Sequence, residues 1–420
     1  MREQAYADYL AGKSPQLLFE ELGVTNPETA GSKLRARRRK LAAPDAPGLD
    51  IMGRNVIGVL DSEIDGALLR LLRQRKLWPL ADLCNAVDQS PKRVRAAIDR
   101  LQQAGRPINL EEREVSLPEV PPPLETELPA IWTRPAGRIV TAHISDTQFG
   151  SMAVQKTALD LFMQIAWEEY GVDVTFHSGD WCTGVNMFKG QHYETYAQGF
   201  EAQLEDTVVS MPRRAGHTYY GIGGNHDFSF YKAARIDFMA MLAKERPDII
   251  NCGWDTADVP LTEACDVRLW HPSGGVPYAI SYRGQKYSAQ IAFEELLEVT
   301  MGGRPAPRVR LLQIGHLHVM AGPTIQGALR FFQAGCFEAQ TSYLKRKGLV
   351  PMIGAYIMEH EITDNGIIRR QTMTDFIFDP VDDDYRRHRR PDPSMNVRRV
   401  EAICTFGELD AAPEYRKVNP

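Results

Sequence analysis

From Arg138 onward the chain alternates short apolar runs with helical stretches, and each apolar run closes on a polar cluster. RIVTAHIS (138–145) reads as a strand, VQKTALDLFMQIAWEEYG (154–171) as a helix and DVTFHSG (173–179) as a strand. A helical stretch around Tyr193 to Met211, the strand TYYGIGG (218–224) and a helix after Phe230 continue the series, and RVRLLQIG (308–315) adds a later strand. Apolar strands separated by helices predict a layered α/β sheet with its functional groups at the strands' carboxyl ends. The 420 residues are 43% hydrophobic and 25% charged, so a sizeable core can be buried. At about 150 residues per domain the length predicts two or three domains.

What stands at the strand ends is chemically uniform. The first ends in Asp146-Thr147-Gln148, the second in Gly179-Asp180, the third in Gly224-Asn225-His226-Asp227, and RVRLLQIG in Gly315-His316-Leu317-His318. One aspartate in such a place means little. Four strand ends that deliver Asp, Asp, Asn-His-Asp and His-x-His form a hard-oxygen and imidazole set of the kind that binds two first-row divalent cations. The six cysteines (84, 182, 252, 265, 336, 404) include no CxxC pair, which argues against a thiolate zinc site and a disulfide framework.

In this order the blocks resemble the calcineurin-like metallophosphoesterase superfamily, whose pattern is DxH, GD, GNHD, a lone His and GHxH; residues 138 to 375 cover it. The lone histidine is assigned to His271 in LWHPSGG, and His217, which precedes GNHD, is the weaker rival. The resemblance implies a layered α/β/β/α sandwich and two divalent metal ions, with Asp180 bridging both. It implies Asp146 and His318 on one ion, and Asn225, His271 and His316 on the other. His226 would bond the scissile phosphate and protonate the leaving oxygen, held in orientation by Asp227. The family's first block usually ends in His, and here that place is Gln148, as in some members of the superfamily. An amide oxygen is the weaker ligand, so Mn or Mg is expected ahead of Zn, Fe or Ni.

The remaining histidines His143, His177, His192, His360 and His388 read as structural. Trp181, Phe228 and Phe230 read as walls of the site, with base stacking as the alternative. Lys345, Arg346 and Lys347 suit either a polyanionic substrate or an ordinary surface turn.

Before this catalytic half (136–378) lies the proline-dense stretch Pro118 to Pro135, an extended spacer. Upstream, Pro15 to Leu41 has the layout of a helix-turn-helix in a segment spanning 1–50, and Lys33, Arg35, Arg37, Arg38, Arg39 and Lys40 fill six of eight consecutive positions. Residues 60–117 read as helix, short helix, a third helix opened by Ser90 and Pro91, then the extended pieces INLEE and REVSL. That order resembles a winged helix-turn-helix, as in phage and prophage metallophosphoesterases, with Lys92, Arg93 and Arg95 opening the recognition helix. These small, mainly helical domains would precede the sandwich, and residues 379–420 would form a poorly packed extension.

With a formal net charge of −5, a broadly cationic nucleic-acid coat is excluded, so DNA contact must come from local stripes. No run of 18 apolar residues and no signal-peptide pattern occurs, so a cytoplasmic protein of a bacterial cell or phage-infected host is expected, without membrane partners. The leading expectation is a metal-dependent phosphodiesterase that cleaves DNA. The alternatives are a small-molecule or protein phosphoesterase whose N-terminus docks a partner, and a non-catalytic DNA-binding or assembly protein with a structural metal site. The N-terminal domains or the C-terminal tail could also mediate self-association or hold a protein partner.

Overall fold

The computed structural model describes residues 63–74, 77–103, 108–111, 113–117, 127–275, 279–303, 306–326, 329–386, 395, 397–405 and 414–417. The helix-turn-helix expectation for residues 1–50, with Lys33, Arg35, Arg37, Arg38 and Arg39, lies outside them, as does His388.

The first elements are α1 (Glu63–Gln74), β1 (Leu77–Pro79), α2 (Leu80–Ala86), α3 (Pro91–Gln103), β2 (Asn109–Glu111) and β3 (Glu114–Ser116). The three strands form one sheet in the order β1-β3-β2. Leu68, Leu69, Leu72, Leu83, Val94, Ala97, Ile98, Leu101 and Val115 share a small core. In α3 these fall at i, i+3, i+4 and i+7, one helical stripe, and the opposite face leaves Lys92, Arg93 and Arg95 exposed. β1, three residues between two helical stretches, is absent from the sequence reading.

The larger part begins with β4 (Gly137–Ile144), α4 (Lys156–Glu168), β5 (Val174–His177), α5 (Phe200–Ser210), β6 (Thr218–Gly223), α6 (Phe228–Ala234), α7 (Phe238–Glu245) and β7 (Ile249–Trp254). It continues through β8 (Thr256–Pro260), β9 (Asp266–Trp270), α8 (Tyr282–Thr300), β10 (Val309–Ile314), β11 (Ala321–Gln326), β12 (Leu329–Gln333), α9 (Ser342–Arg346), β13 (Gly354–Ile362) and β14 (Ile368–Phe378). Two further strands close the chain, β15 (Val397–Thr405) and β16 (Glu414–Lys417). The helix expected from Tyr193 is shorter than its sequence pattern, since Gly199, at φ +87°, stands at its N-terminal boundary.

Two sheets face each other. One has the order β16-β15-β14-β13-β4-β5-β6-β7, with β4 to β7 parallel; the other has the order β11-β12-β10-β9-β8, with β12, β10 and β9 parallel. Between them lie Ile139, Val174, Phe176, Ile222, Val267, Leu269, Leu311 and Phe332. The outer face of the first sheet is covered by α4, α5 and α7 through Leu159, Phe162, Met163, Phe200 and Leu242. Ile291 of α8 packs on Leu312, Ile314 and Phe331 of the second. The result is the expected α/β/β/α sandwich. The stretch after Asp379 differs from its reading as a loose extension: β15 pairs with β14 over nine residues, β16 pairs with β15, and Asp384 accepts from the amide and hydroxyl of Thr157.

Candidate metal centre

The carboxyl ends of β4, β5 and β6 in one sheet and of β9 and β10 in the other converge, and the turns that follow them carry the candidate residues. These turns are backbone-strained. Among the described residues, ten non-glycine residues have positive φ, and five of them are Asp146 (50°), Gln148 (49°), Asp180 (57°), His316 (80°) and His318 (57°). The motif glycines are there because the turns touch. A Cβ at Gly224 would lie 2.2 Å from Asp180 Oδ1, and one at Gly315 would lie 2.6 Å from Ser178 O and 2.8 Å from His271 Nδ1.

Asp180, His271 and His316 each offer a ligand atom within 4.8 Å of the other two. Asp180 Oδ2 is 3.1 Å from His271 Nε2 and 3.8 Å from His226 Nε2, and Asn225 Oδ1 is 3.2 Å from His271 Nε2. Asp146 Oδ1 stands 3.2 Å from His318 Nε2, while its carboxylate accepts from the amide of His316 and the hydroxyl of Ser145. The rings are aimed from behind. His226 and His271 donate Nδ1–H to Thr183 O (2.8 Å) and Ser178 O (2.6 Å), and His316 donates Nε2–H to Gly274 O (2.7 Å). Each carbonyl selects a tautomer and leaves the other nitrogen for the centre.

Burial and mutual attraction set the charges. Burial alone would raise the carboxyl of Asp180, but His271 and His226 hold it well below the usual range; Asp146 is held down by His318 in the same way. Burial opposes a charged His271, yet the Asp180 and Asp146 carboxylates outweigh it and lift the ring to about 9. His316, buried and beside His271, falls to about 4. Two carboxylates that stay ionised among imidazoles form a donor set suited to divalent cations. Gln148 supports the same fit: its Nε2 donates to Asp180 Oδ2 (3.3 Å), while its Oε1 is buried with no hydrogen-bond partner. A buried, orphaned amide oxygen costs free energy unless something electropositive meets it.

A family model described as calcineurin-like phosphoesterase matches residues 139–320, the span from β4 through the His316-Leu317-His318 turn. This part of the chain is a calcineurin-like phosphoesterase domain. It is therefore a metal-dependent phosphoester hydrolase domain; such phosphoesterases use a dinuclear divalent metal site, and Asp180, His271 and His316 form a candidate ligand cluster here. Among solved structures, a dimetal phosphatase from Danio rerio is similar at 10% identity and a TM-score of 0.31, covering 56% of this chain and 95% of its own. GAP50, the anchor in the inner membrane complex of Plasmodium, is similar at 13% identity and a TM-score of 0.30, covering 57% and 84%. The search of curated proteins gave no match. Among the described residues no helix is long and apolar enough to cross a membrane.

Asp146, Gln148, Asp180, Asn225, His226, His271, His316 and His318 of the phosphoesterase domain thus come together. Asp227 is adjacent but differs from its expected role. Its carboxylate accepts from the amides of Trp181, Cys182 and Gly224 and from the Cys182 thiol, so it braces the two turns, while Thr183 O orients His226. Desolvation, with Asp180 nearby, raises its carboxyl to about 6. His217 is bonded to Thr175, and His143, His177 and His360 have buried hydrogen bonds to Thr141 or Thr147. Trp181 and Phe230 are fully buried, which removes them as base-stacking surfaces; Phe228 remains partly exposed against Trp254. Lys92, Arg93 and Arg95 sit on α3, in the small three-stranded unit. Sequence reading had no signal for Thr183, Ser178 and Gly274, because they act through carbonyls that every residue has.

Proposed function

We propose that the protein is a phosphodiesterase that cleaves DNA, positioned on the duplex by its N-terminal region and working with Mn at the first site. The observation that carries this reading is the segment 63–117, which joins a basic helix start to a phosphoesterase domain in one chain. Its order of helix, strand, helix, helix, strand, strand is that of a winged helix-turn-helix, where the third helix meets DNA with its N-terminal turn. Lys92, Arg93 and Arg95 are exposed there, as phosphate contacts require.

When bound, two divalent ions would polarise the phosphoryl oxygens and lower the pKa of an attacking water. The chain's own residues do the rest. Asp146, Gln148, Asp180 and His318 would hold one ion, and Asp180, Asn225, His271 and His316 the other. His226, whose side chain is 20% exposed, turns Nε2 toward the centre and is the group placed to give a proton to the leaving oxygen.

The test is metal-dependent hydrolysis of linear and circular DNA, of bis-para-nitrophenyl phosphate and of its mono-ester, by wild type and His226→Ala. The reading expects cleavage of DNA and the diester, lost in the variant. Hydrolysis of the mono-ester alone would assign the domain to small-molecule or protein phosphoesters.

A further inference from the structure

Three of the four centre histidines are backed by backbone carbonyls; His318 is not. Its Nε2 faces Asp146 at 3.2 Å, and its Nδ1 is buried without a hydrogen-bond partner. A carboxylate faces it: Oε2 of Glu338 lies 3.6 Å from that Nδ1, with the Cys336 thiol also against the ring. Glu338 is 6% exposed and sits in the turn between β12 and α9, outside every sequence motif of the centre. Its other oxygen accepts from Ser151 Oγ at 2.6 Å, and the Ser151 amide donates to Gln148 O at 3.1 Å.

We propose that Glu338 is a positioning residue of the first metal site, taking Nδ1–H of His318 on one oxygen and, through Ser151, fixing the turn that carries Gln148 on the other. The inference rests on the reading of these residues as a two-ion centre. Its logic is chemical. A cation at Nε2 requires the tautomer with the proton on Nδ1, and that proton then needs an acceptor; a carboxylate is a stronger one than the carbonyls behind the other rings and makes the ring a better donor. It acts at the site where Gln148 replaces the family's usual histidine, so the remaining imidazole is strengthened where a neighbouring ligand is weak.

Equilibrium Mn titration followed by EPR, on wild type, Glu338→Gln and Ser151→Ala, tests this, with thermal melting of the chelated proteins alongside. Glu338→Gln keeps the shape and an acceptor for Ser151. It is expected to weaken one of the two ions by roughly 10- to 100-fold, leave the other unchanged and melt like wild type when chelated. Ser151→Ala should weaken the same ion by less, and it carries the test if Glu338→Gln does not fold. Two unchanged Mn affinities in the variants would overturn the proposal, as would equal weakening of both ions together with a lowered apo melting temperature. A wild type that binds no Mn would overturn the two-ion reading instead.

Discussion

Gly224→Ala adds a single methyl group, and the structure says where it goes. The new Cβ would sit 2.2 Å from Oδ1 of Asp180, 2.5 Å from its amide nitrogen and 2.9 Å from its Cγ. Ordinary contact begins near 3.4 Å, so the β5 and β6 turns must part by about 1.2 Å, the difference between 3.4 and 2.2. Rotating the Asp180 side chain relieves only part of this, because one of the crowded atoms is backbone. The same Oδ1 accepts from the His226 amide at 2.8 Å, so moving it shifts the bridging carboxylate against the proton donor. A displacement of about 1 Å in a reacting constellation costs on the order of 100-fold in rate. The variant should therefore lose about two orders of magnitude in kcat on bis-para-nitrophenyl phosphate at saturating Mn. Gly224 does not use positive φ, so alanine carries no left-handed backbone penalty there. Gly275→Ala, where a Cβ meets nothing within 4 Å, is the matched control and should keep wild-type rates. A Gly224→Ala enzyme within threefold of wild type, with both ions held normally, would refute the idea that this contact sets the centre's geometry.

Three more perturbations have definite expected outcomes. On the proposed two-ion reading, in which one carboxylate serves both ions, Asp180→Asn should abolish turnover and lower occupancy at both sites; metal analysis finding two full equivalents would remove its bridging role. Gln148→His should bind the first Mn more tightly than wild type in a direct titration, because on the proposed reading imidazole replaces a weaker ligand, the buried and unpartnered amide oxygen; equal affinities would place Gln148 outside the coordination shell. Asp375, on β14, is pushed by desolvation from 3.8 to about 7. Its folded value lies above the unfolded one, so the native state favours the proton and stability falls as pH rises from about 4 through about 7. Asp375→Asn should match wild type near pH 4 and exceed it at pH 8 by up to about 4 kcal/mol, at roughly 1.4 kcal/mol per unit, as read by denaturant unfolding at the two pH values.

The parts of this molecule that were legible in its sequence are those where chemistry demands a residue type. A cation needs carboxylate, amide or imidazole donors, and tight turns after strands need glycine, so Asp146, Asp180, Gly224 to Asp227 and Gly315 to His318 announce themselves at fixed spacing. The alternation of apolar strands with helices likewise revealed the layers. What stayed hidden depends on the third dimension. Thr183 O could replace Asp227 behind His226 because a carbonyl carries no sequence signature. Asp227 instead collects four donors from turns 3 to 46 residues away. Glu338 lies twenty residues beyond His318, and only the parallel pairing of β10 with β12 returns the chain to the centre. The C-terminal strands β15 and β16 were masked by charge and proline, because a strand added at a sheet edge needs backbone pairing more than an apolar pattern.

The division of the centre between two sheets poses a problem that the apolar core alone does not solve. Hydrophobic faces attract without fixing register, and a slide of one sheet over the other would separate Asp146 and Asp180 from His316 and His318. Gln313 on β10 sits at that seam, fully buried. Its Nε2 donates to Ile144 O at the end of β4 and to Ser178 Oγ just past β5, and its Oε1 is 2.8 Å from His143 Nδ1. His143 in turn reaches Thr141, which meets His360 on β13, and His360 meets Gln371 on β14. A buried amide with two bonds to β4 and one to the residue just past β5 tolerates little sliding, since every broken bond leaves a polar group in a dry core at a cost of about 1–3 kcal/mol. The polar chain therefore supplies directional contacts between the sheets that apolar packing does not. Because Ser178 is also the residue whose carbonyl aims His271, the register of the sheets and the aim of a ligand are set through one residue.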